Sequence, residues 1–219
     1  MTSLFTYWKG PHWTAKDWSE IDIEIVPSIT HTDSKEGPFH VNLIYENHGM
    51  SGAPIPNDVA DSGTDWHTYS FEWTPEYISW TFDGKEVYKQ EASAHGAEGA
   101  AVRWLQQREQ TLIMNFWTPT FESWHAGFED DGMPWYAEYD WVEVHDYDET
   151  SKTFTQRWKD EFDNIDYSRW EVASSGSFQQ NTCEWSRDNV YTQDGHLVLK
   201  MDKHGGGGGG DHHSWHHWW

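Results

Sequence analysis

At 219 residues the chain is long enough for one large all-β domain or two small ones, and it can bury a real core. A formal charge of −23 argues against nucleic acid, anionic membrane or an anionic polysaccharide as partner and leaves a neutral one. With 17 Trp, 10 Tyr and 10 Phe there are more rings than a core needs, so some are expected to line a cleft and stack on planar-faced ligands such as sugars.

In chain order, Ser3 to Trp8 reads as a strand ended by Gly10-Pro11, and Trp18 to Ile25 as a second. A polar loop from Pro27 to Pro38 precedes a strand from Phe39 to Glu46, and a Gly/Pro/Asp-rich connection runs from Asn47 to Thr64. Trp66 to Trp73 alternates, placing His67, Tyr69, Phe71 and Trp73 on one face. Tyr77–Phe82 and Lys85–Glu91 flank Asp83-Gly84, the pattern of a two-residue type I′ hairpin. One or two helical turns are expected around Val102 and Leu105. Strands follow at Gln110–Trp117 and Tyr136–Tyr147, then a polar linker at 148–153, and strands at Phe154–Trp158 and His196–Met201. Asn164 to Tyr191 reads mostly as loop.

Strands spaced by turns, with almost no helix, predict an all-β sandwich. Residues 205–219, a glycine run followed by Asp-His-His-Ser-Trp-His-His-Trp-Trp, read as a disordered tail. Its His212, His213, His216 and His217 would bind a divalent metal only adventitiously. Cys183 is the single cysteine, which excludes an intrachain disulfide and suits a small buried hydrophobe. No stretch approaches the roughly 18 apolar residues of a membrane span, and the first residues carry no signal-peptide pattern.

The stretch Trp18-Ser-Glu-Ile-Asp-Ile-Glu-Ile25 is the anomaly. Read with period two, Ile21, Ile23 and Ile25 face one way, and Glu20, Asp22 and Glu24 face the other beside Trp18. Neighbouring carboxylates on such a face stand about 6.6 Å apart. Partly shielded from water, they raise one another's pKa. Solvation alone needs no such row, because Thr, Ser or Lys would serve without the repulsion. The pattern points to catalysis by paired carboxyl groups.

Glu20-Ile-Asp-Ile-Glu24 is similar to the signature of glycoside hydrolase family 16, in the form without an inserted residue that resembles the bacterial 1,3-1,4-β-glucanases (lichenases). Trp66–Trp73, Tyr77–Gly84, Met114–Trp117, Ser123-Trp124 and Tyr136–Val142 agree in order and spacing. The resemblance covers most of residues 3–147. Beyond it, Phe154–Lys203 resembles the segment that opens an ordinary lichenase, so the chain looks circularly permuted, as in a naturally permuted lichenase of rumen bacteria. Between the strands matching His196–Met201 and Ser3–Trp8 the family pattern has about two more strands, with a Gly-Glu-x-Arg-type stretch and a second Cys; they are not found, and the glycine run and the His/Trp tail stand in that place.

The resemblance implies a single jelly-roll domain over residues 1–204, with a concave substrate cleft between curved antiparallel sheets. It further implies a secreted, monomeric endo-acting enzyme that cleaves mixed-linkage β-glucan by a retaining double displacement. Glu20 would be the nucleophile, Glu24 the general acid/base, and Asp22 would tune both. Trp18, Trp117 and Trp124 would shape the sugar cleft, while Asn42 and Asn115 would bond glucosyl hydroxyls. No cofactor is required for the chemistry, and Asp140 matches the position of a structural calcium ligand. The same acids would serve a transglycosylase, and a sandwich without a working site would be a non-catalytic or designed β-glucan-binding module.

Overall fold

The computed structural model describes residues 1–10, 18–26, 39–45, 48–51, 65–106, 108–120 and 130–203. Along the catalytic-motif half run β1 (Thr2–Lys9), β2 (Trp18–Ile25), β3 (Phe39–Tyr45), β4 (His48–Ser51), β5 (Tyr69–Trp73), β6 (Tyr77–Phe82) and β7 (Lys85–Glu91). The helix α1 (Ala97–Leu105) precedes β8 (Thr111–Phe116), β9 (Trp135–Tyr139) and β10 (Val142–Asp148). The remainder holds β11 (Thr153–Asp160), β12 (Val190–Gln193) and β13 (His196–Met201). The expected all-β architecture is borne out, and among the described residues every strand pairing is antiparallel.

The main sheet has the order β4-β3-β2-β1-β8. One face is apolar because its residues alternate: Ile21, Ile23 and Ile25 lie beside Phe39, Val41 and Leu43, all buried. Over β2 and β3 this face packs on the sheet β5-β6-β7 and on α1, through Ile78, Trp80, Ala101, Val102 and Leu105. Toward β8, Leu4, Leu112, Met114 and Phe116 pack instead on Ala137, Leu197 and Leu199 of the sheet β12-β13-β9. The two cores meet at Leu4 of β1, which packs against both.

Asp83 and Gly84 both have positive φ, 48° and 75°, as the type I′ hairpin requires. The apolar run Tyr136–Tyr147 is not one strand. It breaks at Asp140-Trp141, so that β9 joins β13 while β10 pairs with β11. Residues 148–152 form the turn of that hairpin, where the Asp148 carboxylate accepts the Thr150 and Ser151 amides at 2.9 and 2.7 Å. The expected loop before Tyr191 hides β12, which forms a second hairpin with β13 through Asp194-Gly195, again at positive φ. Cys183 is half-buried rather than buried, because it sits in a surface loop. No helix among the described residues is long and apolar enough to cross a membrane. The His/Trp-rich tail lies outside the described residues.

Candidate active site

Residues directly opposite in an antiparallel ladder share a face. The polar face of the main sheet can therefore be read row by row from its register. Glu24 stands between His40 on β3 and Ser3 on β1, and Ser3 pairs onward with Asn115 on β8. Asp22 stands between Asn42 and Phe5, and Glu20 between Ile44 and Tyr7. Glu20, Asp22, Glu24, Asn42 and Asn115 are thus brought together on one face, with Trp18 at its end. Trp124 lies outside the described residues. Ser3, Phe5, Tyr7 and His40 also belong to the face. Their own period-two alternation in the first and third strands was the signal that would have found them.

The acids differ in environment. Asp22 is 4% exposed, and Glu20 and Glu24 are half-buried. Burial raises the Glu20 carboxyl to about 7, against hydrogen bonds from Trp18 and Asp22 that favour its charged form. The Trp18 indole Nε1 donates to Glu20 Oε1 at 2.7 Å. Asp22 is held well above the usual carboxylate range by burial, then by the charges of Glu20 and Glu24, and by its hydrogen bond to Glu20. Asp22 therefore keeps its proton to higher pH than an ordinary carboxyl and shares a hydrogen bond with Glu20. Burial and then the charge of Glu20 push Glu24 up to about 8. Tyr7, across from Glu20, has its phenol raised by burial and by the Glu20 charge.

Supporting contacts come from both sides of the strand. The buried indole of Trp80 on β6 donates to the Asp22 carbonyl at 3.0 Å, tying the lower layer to the middle acid. Ser3 Oγ donates to Asn115 Oδ1 at 2.5 Å, and Asn42 Oδ1 accepts the Leu43 amide at 2.9 Å. Those bonds orient both amides and leave their NH2 groups as the donors the site can offer.

Three carboxyl groups on one strand face, all held above the ordinary carboxylate range, have the character of a candidate proton-exchanging site more than of a solvated surface. The family comparison decides the lineage: the model of glycosyl hydrolases family 16 matches residues 1–143. The chain belongs to this family.

A β-glucanase of Fibrobacter succinogenes is 31% identical over 212 residues, which is 94% of this chain and 56% of that one. A β-glucanase of Paenibacillus polymyxa is 35% identical over 144 residues, 65% of this chain and 51% of that one. A solved prokaryotic β-1,3-1,4-glucanase (lichenase) from a mouse hindgut metagenome is 33% identical, covering 41% of this chain and 38% of that chain, with a TM-score of 0.27. The chain spans about half the length of the curated relatives it matches.

Two site expectations fare differently. Trp117 extends the β1–β8 ladder by one pair, its amide donating to the Met1 carbonyl at 3.0 Å, which puts its ring on the acid-bearing face by alternation. Only 8% of it is exposed, however, because Phe178 covers it at a ring-centroid distance of 4.7 Å. It is a floor residue rather than an open stacking surface.

Asp140 sits at the end of β9, away from this face, with its carboxylate 3.8 Å from His196 Nε2. The other ring nitrogen of His196 lies 3.6 Å from Glu138. Calcium asks for a shell of hard oxygens, and an imidazole wedged between two carboxylates does not fit that demand. Among the described residues no group of three or more His, Cys, Asp or Glu could hold a metal.

Proposed function

We propose that the chain is an endo-acting retaining glycoside hydrolase that cleaves mixed-linkage 1,3-1,4-β-glucan. The observation that carries this is the graded triad on one strand face. Glu20 is stabilised as a carboxylate by Trp18 and Asp22, while Glu24 keeps its proton to about 8. Glu20 attacks the anomeric carbon as Glu24 delivers its proton to the leaving oxygen, giving a glycosyl-enzyme ester and a free sugar end. Glu24, now ionised, takes a proton from water, and the resulting attack on the ester regenerates Glu20. Asp22 holds its proton on the Glu20 side throughout, so charge leaving Glu20 on ester formation is matched by a weaker hydrogen bond rather than by solvent.

The substrate class rests on charge and on relatives. A chain of −23 repels anionic polymers and suits a neutral glucan. The related proteins carry the name β-glucanase. The permuted order is supported by the Fibrobacter match, which runs through both halves, whereas the Paenibacillus match covers only about two-thirds of the chain. Secretion accords with a polymeric substrate.

Reducing-sugar release from barley β-glucan, lichenan, laminarin and carboxymethylcellulose, with Glu20→Gln and Glu24→Gln as controls, tests the proposal. Cleavage of the first two is expected. Laminarin cleavage without lichenan cleavage would overturn the substrate assignment, and full activity in Glu20→Gln would overturn the nucleophile.

A further inference from the structure

The ring that covers Trp117 comes from the other half of the chain. Residues 176–185 fold back against the segment that follows β8. Pro119 and Asn181 form an antiparallel bridge, the Thr120 amide donates to the Gln180 carbonyl, and the Thr182 amide to the Thr118 carbonyl, both at 2.9 Å. The loop is closed on itself by Trp185 N to Gly176 O at 2.7 Å and by Ser177 Oγ to Cys183 O at 2.6 Å. It is therefore a fixed platform that loses little freedom on binding.

Phe178 meets Trp117 nearly edge-on, with planes at 66°, and lies 6.1 Å from Trp185 with planes tilted by 35°. Both Phe178 and Trp185 keep part of their surface in solvent. Trp117 shares the face of Glu24 and is displaced from it by two strands, about 10 Å across the sheet, and by one row, about 7 Å along it. A polymer lying over Glu24 reaches that distance within a few units. What it meets there is Phe178, because Trp117 is already covered.

We infer that Phe178, backed by Trp185, is the ring that stacks on a glucosyl unit at this end of the cleft, so that the later segment of the chain sets part of the affinity for glucan. The inference rests on the glucanase reading for the identity of the sugar. It accounts for a hydrophobic ring left partly in solvent beside an acid-bearing face, in a chain whose charge favours a neutral ligand.

The test compares Phe178→Leu, which keeps an apolar cover over Trp117 but has no flat face, with Phe178→Tyr, which keeps the face. On barley β-glucan, Phe178→Leu is expected to raise KM about tenfold with kcat within about twofold, while Phe178→Tyr stays near the parent in both. A Leu variant with unchanged KM would reduce Phe178 to a structural cover. Equal losses of kcat and melting temperature in both variants would do the same. If the parent releases no sugar from the polymer, quenching of Trp fluorescence by β-glucan oligosaccharides judges the platform alone. Saturable quenching that is weakened about tenfold in Phe178→Leu upholds it, and identical curves or no quenching overturn it.

Discussion

Glu24→Gln should make the protein more stable, and increasingly so as the pH rises. The folded state holds the Glu24 proton to about 8 instead of the ordinary 4.5. Below about 4.5 the carboxyl is protonated whether the chain is folded or not, and it costs nothing. Between those values the unfolded chain gains by ionising while the folded one does not, so stability falls with pH by about 1.4 kcal/mol per pH unit. The loss is complete once the pH passes the folded value. Carried through, the penalty is on the order of 4–5 kcal/mol. Half-exposure of the side chain, and its sharing of charge repulsion with Glu20, reduce it to about 2–3 kcal/mol. Gln removes the penalty without removing the bulk. For a chain of this size that corresponds to roughly 5–10 °C in melting temperature at pH 8–9 and to nothing near pH 4. Thermal melts of both proteins from pH 4 to 9 measure it. A difference that is constant with pH, or a parent more stable than Glu24→Gln at pH 8, would refute the electrostatic picture of the strand.

The same triad makes predictions for turnover. Glu24→Gln should lower kcat on β-glucan by roughly 10²–10⁴, and much less on aryl glycosides whose leaving group needs no proton; equal losses on both would refute the acid role. The profile of kcat/KM against pH should be bell-shaped, rising as Glu20 ionises near 7 and falling as Glu24 ionises near 8. A rising limb near 4.5 would show that the fold does not perturb these groups. Trp80→Phe keeps most of the ring and loses the N–H on the Asp22 carbonyl, a change of about 1 kcal/mol. It should lower kcat several-fold with KM within twofold, and an unchanged kcat would remove Trp80 from the positioning of β2.

Much of this site was legible because its logic is local. Alternation over eight residues separates Ile21, Ile23 and Ile25 from Glu20, Asp22 and Glu24, and the observed register preserves that separation on both neighbours. Asp83-Gly84 announced its hairpin because long strands flank it. Asp194-Gly195 carries the same dipeptide but follows a strand of only four residues, too short for alternation to register. The break at Asp140 was hidden because the residues on both sides suit a strand equally well, and only the choice of partner, β13 or β11, divides them. The cover over Trp117 was hidden for a related reason. The place of Trp117 on the acid-bearing face follows from alternation, but the ring that covers it lies some sixty residues later, and contact at that separation leaves no trace in spacing. Trp80 lies in the strand that leads into the Asp83-Gly84 turn, but that its indole N–H reaches the Asp22 carbonyl depends on how two layers stack.

In the proposed mechanism Glu20 and Glu24 work as nucleophile and acid/base through a covalent intermediate. Proton NMR of the first products released from barley β-glucan reads this directly. The newly formed reducing end should appear first as the β-anomer and drift toward the equilibrium mixture by mutarotation. First appearance of the α-anomer would mean direct attack by water, and would contradict the assignment of Glu20 as the nucleophile.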